Sequence, residues 1–111
     1  MTMLSGVMNG KAMDASLLPW VNRVTQGTRT TVMAGPQTML KVEFIFDRSQ
    51  SPQTMDYVNL AGSHKGKSQQ GIYKLEGGVL TVCVAPPGGA RPARFESMPG
   101  DERTLTVWQR R

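Results

Sequence analysis

Apolar and polar residues alternate over most of the chain. In residues 38–46, TMLKVEFIF, every second position from 40 onward is apolar, and Lys41 and Glu43 lie between them. Because successive side chains of a strand point to opposite faces, this pattern predicts a half-buried β-strand. The same alternation, together with β-branched composition, predicts strands at residues 2–8, 28–34, 38–46, 53–61, 68–76, 79–85, 91–98 and 103–110.

Glycine-containing turns separate these strands. Asn9-Gly10 and Gly77-Gly78 each follow an apolar run, and both pairs tolerate the positive φ of a tight turn. Short strands joined by such turns indicate an antiparallel meander, and about eight of them can close a small barrel. We therefore expect a mainly β fold, with a single antiparallel up-and-down β-barrel over residues 1–111.

One segment departs from the alternation. Within residues 13–27, apolar side chains recur at helical spacing, at Leu17, Trp20, Val21 and Val24. This spacing predicts one short helix after the first strand. Such a helix would plug one end of the barrel or cover its side, with Trp20 as its anchor.

The alternation also predicts which side chains point into the barrel. In residues 53–61 both faces carry apolar side chains, so the register of that strand does not follow from the pattern. The expected inward set is Val32, Leu40, Val42, Phe44, Phe46, Leu80, Val82, Val84, Phe95, Leu105 and Val107.

The composition is that of an ordinary globular domain, with 39% apolar and 19% charged residues. No apolar run approaches the roughly 20 residues that span a bilayer, so no membrane segment is expected. No signal peptide is visible, which predicts a cytoplasmic protein as the sequence stands, or an exported one if a leader was trimmed. The net charge of +5 is spread along the chain and aromatic residues make up 6%, so nucleic acid is not an expected partner.

The sequence offers few residues for catalysis or metal binding. Cys83 and His64 are the sole cysteine and histidine, which rules out a Cys/His zinc site within one chain. Residues 62–68, GSHKGKS, resemble a phosphate-binding loop, but they have three residues between the glycines instead of four and precede a strand pattern. We expect no enzyme activity, no catalytic residue and no cofactor. For Cys83 we expect a small packed side chain, not a reactive thiol.

Two polar features remain as candidates for ligand contact. Asp56 interrupts a strand pattern and would anchor a ligand if it pointed inward; otherwise it faces solvent or forms an internal ion pair. The stiff Pro- and Gly-rich stretch after residue 85 carries Arg91 and Arg94. These arginines are suited to clamping an anion, or Arg91 ties the loop to Asp56 or to the C-terminal strand.

Residues 71–95, GIYKLEGGVLTVCVAPPGGARPARF, closely resemble the signature of a bacterial domain family of unknown function, best known from planctomycetes. Upstream, SPQTMDYV and KGKSQQGIY are similar to further stretches of that family. The resemblance implies a lipocalin-like barrel and no established reaction. The chain departs from the family in lacking an opening Gly-x-Trp strand and in carrying Gly78 in place of Asp or Asn. The matching positions are Gly71, Ile72, Tyr73, Leu75, Gly77, Leu80, Cys83, Ala85, Pro86, Pro87, Gly88, Arg91, Pro92 and Phe95.

The resemblance also suggests a homodimer. In a closed barrel the first and last strands pair, but this chain starts where family members are already well into their first strand. Part of the edge of residues 103–110 should then lack a partner, and unpaired edges invite another chain. Trp108, on the face opposite to Leu105 and Val107, would lie outside the barrel and near the dimer interface.

These observations favour a non-enzymatic barrel that binds a small lipophilic or anionic ligand. The alternative is a protein-interaction module that acts through strand edges and basic loops. The candidate ligand-binding residues are Phe44, Asp56, Tyr73, Arg91 and Arg94.

Overall fold

The computed structural model describes residues 1–62 and 64–110. This part of the chain forms nine strands and one 3-10 turn, Leu18–Trp20. None of its helical segments has the length and apolar character needed to traverse a bilayer. The strands are β1 (Thr2–Met8), β2 (Lys11–Ala12), β3 (Val21–Gln26), β4 (Arg29–Ala34), β5 (Gln37–Asp47), β6 (Gln53–Asn59), β7 (Ser68–Glu76), β8 (Val79–Val84) and β9 (Thr104–Gln109).

Eight of these strands close into an antiparallel barrel, which confirms the predicted fold. From β3 to β9 each strand pairs with the next in sequence, and β1 pairs with both β3 and β9. The two-residue strand β2 pairs only with the end of β1, through the Asn9-Gly10 turn. Both turn residues have positive φ, 53° and 77°, as the sequence predicted.

The barrel has two unlike ends. The β3–β4, β5–β6 and β7–β8 turns lie at one end, where Phe44, Phe46 and Tyr73 pack ring against ring. We call this the filled end. The remaining connections lie at the other end, which we call the open end. They include the long segment 85–103 between β8 and β9.

The predicted helix is wrong apart from the 3-10 turn. Val21, Val24 and Thr25 are β-branched, and they extend as β3 and pair along their length with β4. Alternation is visible there in hindsight, because Val21 and Arg23 are buried while Val24 is exposed. Trp20 is 67% exposed and anchors nothing in the barrel.

The predicted strand at 91–98 is also wrong. This stretch belongs to segment 85–103, which forms no strand of the barrel and packs against the outer face of β7 and β8. Its prolines lack the N–H donors that a central strand requires. Phe95 therefore lies outside the barrel, where the Lys74 ammonium sits 5.0 Å from its ring centroid. The barrel reaches eight strands because β3 takes the place that 91–98 was expected to fill.

Segment 85–103 explains why the outer face of β8 is buried. Cys83 is 0% exposed, and its Sγ lies 3.4 Å from the carbonyl oxygen of Glu96. Burial raises the pKa of the Cys83 thiol. The thiol is a packed side chain, as expected.

In the last strand, β9, the side chains that face inward are the ones that were predicted to face outward. Thr106 and Trp108 lie opposite Val82 and Leu80 and share their inward face, whereas Leu105 lies opposite the outward Cys83. Val107 likewise lies outside.

The edges of this strand are also occupied. β9 is paired with β8 on one edge and with β1 on the other, over its whole length. Trp108 is inside the barrel and 1% exposed. The homodimer stays a prediction, but the free edge and the exposed tryptophan that motivated it are absent.

Candidate functional site

A cavity of about 560 Å³ occupies the open half of the barrel. Its wall is largely apolar, and its inner part is formed by side chains that are almost completely buried. Aliphatic and thioether groups line much of this wall, contributed by Met3, Val32, Val82 and Val84.

Arg23 is the buried charged residue of this wall, whereas Lys67 and Glu102, which also line the cavity, are exposed. It lies opposite Val32 in the β3–β4 pair, and this register turns its side chain inward. Although it is an arginine, it is only 4% exposed. One guanidinium nitrogen, Nη2, donates a hydrogen bond of 3.0 Å to the Tyr57 hydroxyl. The guanidinium carbon lies 5.5 Å from the centroid of the Trp108 ring.

No carboxylate compensates this charge within the described chain. The ion pairs found there are Arg29 with Glu43 and Arg91 with Asp56, both away from the cavity. A guanidinium carries five N–H donors, and among the described residues Tyr57 is the one side chain that accepts a hydrogen bond from that of Arg23. Because burying an unpaired cation is costly, the Arg23 guanidinium is a candidate group for pairing with an anion in the cavity.

The neighbours of Arg23 leave further donors available. Since the Tyr57 hydroxyl accepts from Arg23, its own proton is free to be donated. Trp108 Nε1 donates to Thr106 Oγ1 at 2.8 Å, so the Thr106 hydroxyl can likewise donate into the cavity that it lines. The inner wall therefore offers donors around a positive charge, an arrangement suited to an anion.

The mouth of the cavity has two unlike sides. One side is formed by methionines, among them Met13 and Met39. The other carries the polar side chains of His64, Lys67 and Gln69. His64 is exposed, as expected for a solvated loop residue. No cluster of three or more metal-ligating side chains occurs among residues 1–62 and 64–110.

The Asn9-Gly10 turn fastens segment 85–103 beside this mouth. The Asn9 side-chain oxygen accepts the backbone N–H groups of Gly100 and Glu102, at 2.8 and 2.9 Å. The Gly10 N–H donates to the Ser97 hydroxyl at 2.9 Å. A turn read from the sequence as a simple hairpin signal is thus also a clamp on a distant loop.

The five candidate residues named from the sequence do not line the cavity. Phe44 and Tyr73 lie inside the barrel in its filled half, where the Tyr73 hydroxyl is buried without a hydrogen-bond partner. Asp56 lies opposite the exposed Ile45, on the outer face. Arg91 joins it there, and Arg94 is exposed. Their ligand-binding role stays a prediction.

The structure pairs Arg91 with Asp56, one of the alternatives considered for this arginine. Nη2 of Arg91 lies 2.7 Å from a carboxylate oxygen of Asp56. Nη1 donates to the Gly71 carbonyl oxygen at 2.8 Å. Arg91 therefore fastens segment 85–103 to the outside of β6 and β7.

This arrangement predicts that Arg91→Ala lowers the free energy of unfolding by about 1 kcal/mol, because both groups are partly exposed and solvent screens the ion pair. Urea denaturation measures the loss, with the exposed Arg94→Ala as the matched control. An equal loss in both variants would contradict the assignment. So would a change in ligand affinity caused by Arg91→Ala, since this side chain lies outside the cavity.

Sequence reasoning missed Arg23, Tyr57 and Trp108. A signal for Arg23 was present, because VNRVTQ read as a strand places Arg23 on the face of Val21. The helical reading of this stretch concealed it.

Comparison with known proteins adds no relative: no family model, curated protein or solved structure matches this chain.

Proposed function

We propose that this protein is a non-enzymatic β-barrel that binds a small amphipathic anion, with the anionic group at Arg23 and the apolar part against the cavity wall. The observation that carries the proposal is the buried guanidinium of Arg23, which has no carboxylate partner in the described chain and faces the cavity. A carboxylate ligand would supply the missing countercharge. It would also accept charge-assisted hydrogen bonds, which are the stronger ones in a buried site.

The cavity suits such a ligand in size and lining. Its volume of about 560 Å³ falls in the range of small-molecule sites, which combine apolar walls with a few convergent polar groups. Its one histidine, His64, is exposed at the mouth, and no Ser or Cys lies in the described lining. This lining supports binding over catalysis, because no Ser or Cys nucleophile is paired with a base among the described residues that form it.

We further propose that the barrel is lipocalin-like and belongs to the bacterial domain family that residues 71–95 resemble. The spaced matches in that stretch and the eight-stranded closed barrel support this assignment. The alternative is an interaction module acting through strand edges and basic loops, for which β9 offers no free edge because it is paired on both sides.

Octanoate and 1-octanol provide the test, since they share an alkyl chain and differ in charge. At pH 7 we expect octanoate to raise the melting temperature and to bind in isothermal titration calorimetry, and octanol to do so far more weakly. Equal binding of the two compounds would show that the negative charge of the ligand does not contribute to its affinity. Binding of neither would contradict a cavity for amphipathic anions.

A further inference from the structure

We propose that the ligand carries an alkyl chain longer than the cavity holds, and that the distal part of this chain lies in an apolar groove beside Trp20. The inference rests on the proposed function and extends it from an amphipathic anion to a long-chain one. It depends on a second depression in the surface and on its continuity with the cavity.

The groove adjoins the methionine side of the mouth. It has a volume of about 290 Å³ and is lined by apolar residues and glycine. Leu17 and Trp20 line it from the 3-10 turn and the residue before that turn, and Ala34 lines it from the end of β4. Met13 and Met39 line both the groove and the cavity, so the two depressions adjoin at these flexible side chains.

The groove exposes the kind of surface that an alkyl chain would cover. Trp20 is 67% exposed, Leu17 53% and Met39 48%. Such contiguous apolar exposure commonly marks a binding surface. The ligand's own chain is the occupant that the structure favours, because the groove continues a cavity whose inner end already holds the anion-binding group.

The groove is also preformed. The Trp20 N–H donates to the Leu17 carbonyl at 3.0 Å, and the Gly35 N–H donates to the Trp20 carbonyl at 3.1 Å. These bonds hold the 3-10 turn against the β4–β5 turn. The two shared methionines are flexible and can adjust to the passing chain. On the other side of the mouth, Lys67 and Gln69 present polar groups to such a chain.

A series of saturated carboxylates from hexanoate to palmitate tests the inference, with each compound kept below its micelle concentration. Every added methylene that reaches apolar surface should tighten binding about fourfold. In the wild type we expect this gain to continue into the long chains. In Trp20→Ser we expect the same affinity for the short chains and an earlier levelling off. Ile45→Thr, which alters a 70% exposed apolar side chain on the barrel exterior, should behave like the wild type.

Each outcome decides the inference. Identical length dependence in the wild type and Trp20→Ser would overturn the groove and leave the proposed function standing. Absence of binding at every length would overturn both. Sedimentation without ligand supplies the remaining outcome: if Trp20→Ser turns a dimer into a monomer, the groove is a self-association surface and not a ligand site.

Discussion

Replacing Arg23 by methionine is expected to make the free protein more stable and to remove most of its affinity for octanoate. In the free protein the guanidinium is 4% exposed, has one hydrogen bond and lacks a countercharge in the described chain. Removing such a charge relieves its desolvation penalty, as when buried ionic groups are exchanged for apolar residues of similar size. Opposite effects on stability and function are typical of residues kept for binding.

The expected changes in octanoate affinity and in the free energy of unfolding are large enough to measure. Loss of charge-assisted hydrogen bonds, about 1.5–3 kcal/mol, corresponds to roughly 10- to 150-fold weaker octanoate binding. The gain in unfolding free energy should be about 1 kcal/mol or more, reduced by the lost Tyr57 bond and the contact with Trp108. Calorimetric titration measures the first effect and urea denaturation the second.

Arg29→Met is the matched control, because it removes the same charge from the exposed, ion-paired arginine at the start of β4. It should leave octanoate affinity unchanged. Unaltered binding in Arg23→Met would contradict the proposed function. A stability loss in this variant would show that Arg23 is chiefly a structural residue.

Gly10→Ala is expected to destabilise the protein by about 3 kcal/mol or more, among the large effects of single substitutions. The residue has a φ of +77°, which strains any residue with a side chain. A Cβ there would also lie 2.3 Å from the Pro99 nitrogen and 2.7 Å from the Met98 carbonyl carbon. Because both atoms belong to backbone, relief requires moving segment 85–103 away from the turn.

Gly27→Ala separates strain from contact. Gly27 has a comparable φ of +61°, but a Cβ there would meet nothing within 4 Å. We expect this variant to lose about 1 kcal/mol, the cost of the backbone conformation alone. The denaturant midpoint of each variant, at an unchanged slope, measures the difference. Equal losses would show that close packing of Gly10 against segment 85–103 contributes nothing.

The sequence alone determined the class of fold and most of its strands. Where apolar residues alternate with charged ones, as in β5, only one face can be buried, and the local pattern is sufficient. The turns were equally local, since Asn9, Gly10, Gly77 and Gly78 all adopt the positive φ that Asn and Gly tolerate.

Tertiary structure decided the cases in which the local pattern had two readings. In TLTVWQ both faces carry large apolar groups. Pairing with β8 turns Trp108 inward. Segment 85–103 covers part of the outer face of β8, so that this face is buried and does not contact solvent.

The candidate site depended on tertiary structure still more. The spacing of Val21 and Val24 suited a helix, and only pairing with β4 made this stretch a strand that directs Arg23 into the barrel. Local residues dictate strand propensity and turn geometry. The closure of the barrel brings Arg23, Tyr57 and Trp108 together from distant strands, and with them the cavity that we propose binds an anion.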